Sequence, residues 1–137
     1  MKILIDTNTL LDLFLDRMPF SESAAQLISL IEMKRITGCI SATSVTTIAY
    51  YLQKYLEKEK SREAMKEILS LFEVAEINKK ILIAAQKSEF NDFEDAVIYE
   101  AAKAEKVEAI VTRNKNDFEP SKISVFNAEE FLNYLKK

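Results

Sequence analysis

The sequence predicts an α/β fold built on a parallel sheet, and three observations carry that prediction. Short apolar runs alternate along the chain with stretches of helical periodicity, the pattern of strand-helix-strand units joined by right-handed crossovers. The opening run Ile3-Leu4-Ile5 is continuously apolar, as suits a strand covered on both faces. It stops at Asp6, and Thr7 and Asn8 then open a helix by bonding locally to backbone. The 137 residues fit one domain, 1–137, large enough to bury a core without disulfides or metal staples.

Taken in order, Leu10, Leu11, Leu13, Phe14 and Leu15 form a short apolar helix that ends at Asp16-Arg17-Met18-Pro19, because proline disfavours helix in the residue before it. Ser21 caps a second helix to about Lys34, with Ala24, Leu27, Ile28 and Ile31 on one face. Thr37 to Ser41 is a second strand. A third helix, Thr43 to Glu57, turns Val45, Ile48, Ala49, Leu52 and Leu56 inward, and a fourth, capped by Ser61, runs to Leu71. Glu73 to Glu76 is a brief third strand, followed by a helix from Asn78 to Lys87. Asp92 caps a helix from Phe93 to Lys106, after a loop at Phe90-Asn91. Ala109 to Thr112 and Ile123 to Phe126 are the fourth and fifth strands, and Asn127 caps the last helix, Ala128 to Leu135.

Composition removes several functional classes. With no histidine, a Ser-His-Asp or Cys-His mechanism and a Cys/His zinc site are excluded, so catalysis falls to carboxylates, lysine or metal. The single glycine, Gly38, cannot supply a P-loop or a dinucleotide fingerprint. A net charge of -3 does not suit a protein that grips nucleic acid by bulk electrostatics, so a nucleic-acid substrate needs a local basic patch or bridging cations. Cys39 has no partner for a disulfide and reads as a small buried hydrophobe. No apolar run of membrane-spanning length and no basic-then-apolar leader is seen, which makes the cytoplasm the expected location, with no membrane association.

Four carboxylates, Asp6, Asp92, Asp95 and Asp117, fall where strands end or helices start. In an open α/β sheet, ligands bind in the crevice beyond the carboxyl ends of the strands. Asp92 and Asp95 are three apart and share a helical face. Asp95 shares its side of the helix with Ile98, Tyr99 and Ala102, and a carboxylate among apolar neighbours must be paired or coordinated. Gathered acids repel unless cations neutralise them, and oxygen donors of this kind suit Mg²⁺ or Mn²⁺. The chemistry implied is metal-dependent phosphodiester hydrolysis.

Three segments, Ile-Leu-Ile-Asp6-Thr-Asn-Thr-Leu-Leu-Asp, Asp92-Phe-Glu-Asp95-Ala and Ile-Val-Thr112-Arg-Asn114-Lys-Asn-Asp117-Phe118, resemble the signature regions of PIN domains in order and spacing. The resemblance implies a three-layer α/β/α sandwich with a parallel sheet of four or five strands. It also implies Mg²⁺- or Mn²⁺-dependent ribonuclease activity on RNA, often as the toxin of a toxin-antitoxin pair with an antitoxin protein as partner. By position, Asp6 matches the first family acid and Asp95 the acid preceding Ala in the central helix. Asp92 matches an accessory acid, and Asp117 with Asn114 the last acidic region. One departure stands out: most catalytic members carry a Glu or Asp on the helix after the second strand, where this chain has Ser44-Val-Thr46-Thr47 and Thr47 is the closest occupant.

Plainer readings stand beside these. Asp6 and Asp92 are good helix caps, and Asp117-Phe118-Glu119-Pro120 is an acceptable turn. Thr112 ends a strand, with a hydroxyl able to orient a carboxylate. Tyr50, Tyr51 and Tyr55 are candidates for base stacking but read better as core or as a dimer surface, and a homodimer is the expected assembly. Lys54, Lys58, Lys60, Arg62 and Lys66 read as a solvated helical face. Arg17, Arg113 and Lys115 are the better phosphate contacts. The alternative to an active nuclease is a binding module whose turnover is weak or lost because position 47 lacks an acid. A receiver-type phosphoryl-transfer domain ranks lower, since the strand end at Val125-Phe126-Asn127 offers no lysine.

Overall fold

The computed structural model describes residues 1–137. The elements in chain order are β1 (Lys2–Ile5), α1 (Thr7–Phe14), α2 (Ser21–Glu32), β2 (Thr37–Ser41), α3 (Ala42–Tyr55), α4 (Lys58–Leu71), β3 (Glu73–Ala75), α5 (Lys79–Gln86), α6 (Phe93–Ala104), β4 (Ala109–Val111), β5 (Ser124–Phe126) and α7 (Ala128–Leu135). All five strands are parallel, in the order β3-β2-β1-β4-β5. The register pairs Leu4 with Cys39 on one side and with Ile110 on the other, so β1 lies at the centre. The chain grows outward from β1 first one way and then the other. The switch point therefore lies between β1 and β4, whose ends release Asp6 and Thr112.

Strand side chains alternate between faces, and this divides the core in two. Ile3, Ile5, Ile40, Ala109 and Val111 pack with Leu10, Leu27, Ile48, Leu52, Ile68 and Phe131 on the face covered by α1 to α4 and α7. Leu4, Cys39, Ala75 and Ile110 pack with Ile98, Tyr99, Ala101, Ala102 and Phe118 on the opposite face, covered mainly by α6. Helix α5 lies outside α6 through Ala85, Ala96 and Val97. Each large aliphatic buried this way contributes about 1.5–3 kcal/mol, so both layers hold the sheet. No helix is long and apolar enough to cross a membrane. Burial raises the Cys39 thiol to about 11, consistent with a hydrophobe and not a nucleophile.

Three local expectations need correction. Ser21 is the first residue of α2 and not its cap: its N–H is taken by the Arg17 carbonyl at 2.8 Å and its hydroxyl reaches the Met18 sulfur at 3.3 Å. Ser61 lies inside α4, its N–H bonded to the Glu57 carbonyl at 2.8 Å, because Lys58, Glu59 and Lys60 propagate helix well and the extended Glu57 starts it. The turn read at Asp117-Phe118-Glu119-Pro120 starts earlier, as a 3₁₀ turn over Lys115–Phe118 anchored by buried Phe118 against Phe90, ring centroids 5.8 Å apart.

Candidate active site

Asp6 is the N-cap of α1 and 5% exposed. Its Oδ1 accepts the Thr7 backbone N–H at 2.9 Å and its Oδ2 accepts the Thr112 hydroxyl at 2.8 Å, so the ends of β1 and β4 are joined through this carboxylate. The Thr112 hydroxyl in turn accepts the Asn114 N–H at 3.1 Å. Burial pushes the Asp6 carboxyl above its ordinary range, with the charges of Asp117 and Asp92 adding to that and the two hydrogen bonds opposing it. No cationic side chain is paired with Asp6. Behind it, Thr7 donates its hydroxyl to Ser44 at 2.8 Å, and Ser44 shares a hydrogen bond with Ser41 at 2.9 Å, fixing the start of α3 to the start of α1.

Helix α6 brings the next acids. Asp92 is its N-cap, accepting the Asp95 N–H at 3.0 Å. Ile98, Tyr99 and Ala102 are buried beneath Asp95, as its helical spacing requires. Asp95 is partly buried and raised to about 7, first by desolvation and then by repulsion from Asp6, Asp92, Asp117 and Glu94. Asp117 arrives on the 3₁₀ turn held down by Phe118.

These groups line two adjoining hollows that share Asp95. One, about 430 Å³, is bounded by Asp6, Asn8, Arg17, Thr47, Tyr51, Glu94, Asp95 and Asn114 among others. The other, about 450 Å³, is bounded by Asp92, Asp95, Asn116 and Asp117, with Glu89 and Glu119 at its rim. Asp6, Asp92, Asp95, Asp117, Thr47 and Asn114 thus reach one crevice, although no three of the acids converge closely enough to hold one ion as they stand. The donors are all oxygen, a set that suits a hard cation keeping several of its own waters. Helix starts at α1 and α6 also direct partial positive charge toward the acids and offset some of their repulsion.

Arg113 takes a different direction. Its Nε lies 3.2 Å from Asp12 Oδ2 and its guanidinium stacks 4.4 Å from the Phe20 ring centroid, so it faces a separate hollow. Lys115 is occupied by Glu130 at 3.0 Å. Of the tyrosines, Tyr51 lines the acidic crevice while Tyr50 and Tyr55 are exposed. The residue that sequence reasoning missed is Glu94, which lines the crevice and is raised by desolvation and by the charges of Asp92 and Asp6. Its signal was present: three acids fall within the cap and first turn of a helix that begins at the strand ends. Thr47 also lines the crevice, its hydroxyl donated to the Thr43 carbonyl at 3.2 Å.

A family model described as PIN domain matches residues 2–116. Ribonuclease VapC1 of Aquifex aeolicus (strain VF5) is 29% identical over 135 residues, which span 95% of this chain and 92% of that protein. Among solved structures, a toxin-antitoxin complex from Klebsiella pneumoniae aligns at 26% identity with a TM-score of 0.71, over 92% of this chain and 97% of the matched one. VapBC2 from Rickettsia felis, bound to a promoter DNA fragment, gives the same TM-score of 0.71 at 21% identity, over 93% and 98%.

Proposed function

Because the chain belongs to the PIN domain family, we propose that it is an endoribonuclease that hydrolyses RNA phosphodiesters with Mg²⁺ or Mn²⁺ held by Asp6 and Asp95, joined by Asp92, Asp117 and Glu94. The observation that carries this reading is the meeting of acids from three distant segments at the switch point, around a buried Asp6 with no cationic partner. Such a cation supplies charge neutralisation, polarisation of the phosphate and a readily ionised water. The similarity to a ribonuclease supports RNA as the substrate.

The chain's own residues do the remaining work. Thr112 and the Thr7 N–H fix the orientation of Asp6, so that its place does not depend on substrate. Asp95, shared by both hollows, is raised to about 7 by burial and by its acidic neighbours, so a cation bound there would relieve that repulsion. Glu94 supplies, from α6, the carboxylate that α3 lacks at Thr47. Asn114 and Thr47 offer neutral oxygens to the sugar-phosphate, and Tyr51 offers an aromatic ring to a base. In the reaction, a water oxygen bonds to phosphorus as one ester oxygen leaves; a crevice carboxylate takes the water's proton, and the leaving oxygen gains one.

The protein acts in this reading as the toxin of a toxin-antitoxin pair, in the cytoplasm and as a homodimer, with an antitoxin protein blocking the crevice. The similar toxin-antitoxin complex from Klebsiella pneumoniae supports that partner. The test is cleavage of labelled RNA by purified protein. Wild type is expected to cleave with Mg²⁺ or Mn²⁺ and not with EDTA, and Asp95→Asn to lose at least about a hundredfold. A wild type inert in both metals would overturn the reading. The second reading, a binding module, is favoured by Thr47: if RNA is bound but cut only after Thr47→Glu, the native protein is a binder.

A further inference from the structure

We infer that Arg17 is the phosphate-binding residue of the acidic crevice and that Asp12 positions it; this rests on the nuclease reading above. Among the residues lining the two acidic hollows, Arg17 is the one cation. The other candidates are committed elsewhere, Arg113 to Asp12 and Phe20, and Lys115 to Glu130. A polyanion entering a crevice of carboxylates needs a fixed cation besides the metal, and guanidinium matches phosphate with a rigid fork of donors.

The backbone explains why Arg17 stays there. Helix α1 ends with Asp16 in the left-handed region at φ 50, and the Asp16 N–H bonds to the Leu13 carbonyl at 3.2 Å while the Arg17 N–H bonds to the Asp12 carbonyl at 2.9 Å. This is the Schellman closure, in which the residue two beyond the cap commonly makes an apolar contact with the residue three from the helix end. Here an ion pair takes the place of that contact. Arg17 NH1 lies 3.9 Å from Asp12 Oδ1, and Asp12 is 2% exposed. The Arg17 carbonyl also accepts the N–H groups of Phe20 and Ser21 at 2.9 and 2.8 Å. Both backbone groups of Arg17 are therefore pinned.

Its guanidinium is not. At 3.9 Å the pair with Asp12 is loose; neither Asp12 Oδ1 nor Arg113 Nε makes a hydrogen bond, so the approach of Arg113 to Oδ2 at 3.2 Å is an ion pair only. The Arg17 side chain is 33% exposed and lines both the acidic crevice and a neighbouring hollow beside Tyr55 and Leu56. Asp12 thus aims Arg17 without saturating it, and Arg113 neutralises the buried carboxylate from behind so that Arg17 can turn to a phosphate.

The experiment measures binding of a short labelled single-stranded RNA in Ca²⁺ as a function of salt, beside Mn²⁺ binding by calorimetry. Arg17→Ala is expected to weaken RNA binding about tenfold or more and to lower the slope of log K against log salt by about 0.7, the loss of one phosphate contact on a single strand, with Mn²⁺ affinity unchanged. Arg17→Lys should keep the slope and lose part of the affinity. Asp12→Asn should weaken RNA binding by less than Arg17→Ala. The inference is overturned if folded Arg17→Ala binds RNA within about twofold of wild type with the same slope, or if it loses Mn²⁺ along with RNA. Wild type that cleaves RNA while Arg17→Ala matches it defeats this inference alone; wild type that neither binds nor cleaves RNA defeats the nuclease reading.

Discussion

At the scale of single residues, Asp6 sets the terms. Its carboxylate is buried, held by two donors and repelled by the acids across the crevice. Thr112→Val keeps the shape and removes one donor, leaving a charged oxygen buried and unsatisfied. We expect it to cost about 1.5–3 kcal/mol near pH 8 in chemical denaturation, and less near pH 4 where Asp6 gains a proton. The wider pH response has a definite sign. Asp6, Glu94 and Asp95 are all raised, Asp95 to about 7, against unfolded carboxyls near their ordinary values. The native state therefore binds more protons than the unfolded state between those values, and stability of the metal-free protein falls as pH rises from about 4 through about 7. Thermal melts should show Tm dropping over that range, with Mg²⁺ restoring more near pH 8 than near pH 5. A flat profile would mean that neither burial nor mutual repulsion raises these acids. Arg113 shows where residue-level reading from sequence stops. Its neighbours in the chain suggest a phosphate contact, but Asp12, far away in sequence, takes it.

At the scale of elements, periodicity and caps made most of the fold legible. Asp6, Asn78, Asp92 and Asn127 each accept a backbone N–H at a helix start, and Asn127 with Glu130 completes a capping box. The helix ends expected near Asp16, Lys34 and Lys106 fall close to the observed C-caps Leu15, Met33 and Glu105, although the usual glycine is missing. Asp16, Lys34 and Lys106 adopt φ of 50, 59 and 56, closing α1, α2 and α6 with residues that give no such signal in a sequence. The one glycine is used for packing. A Cβ at Gly38 would sit 2.6 Å from Ile31 Cδ1 and 2.8 Å from the Phe72 ring. Gly38→Ala should therefore destabilise by about 1–3 kcal/mol through overpacking between β2 and its helical layer, read as a lower denaturation midpoint at unchanged slope. Equal stability would show that Ile31 and Phe72 yield freely. Serines misled as caps: the second helix does begin at Ser21 but Phe20 is its N-cap residue, and at Ser61 good helix formers move the start back to Lys58.

At the scale of the whole molecule, the strand order places the site. Three local motifs, each ordinary alone, meet because β1 lies at the centre of the sheet and β4 beside it, so that Asp6, Asp95 and Asp117 face one crevice from distant parts of the chain. That convergence was readable from motif order and the switch-point rule. Glu94 carried a local signal, an acid in the first turn of α6 beside Asp92 and Asp95, but whether it reaches the crevice depends on how α6 is rotated on the sheet, which that signal does not encode. If this crevice holds a divalent cation, a crystal soaked in Mn²⁺ and measured for anomalous scattering should show a peak within coordination distance of Asp6 and Asp95, approached by Glu94, Asp92 or Asp117. An empty crevice at saturating Mn²⁺, or Mn²⁺ bound only elsewhere, would refute metal binding at this site.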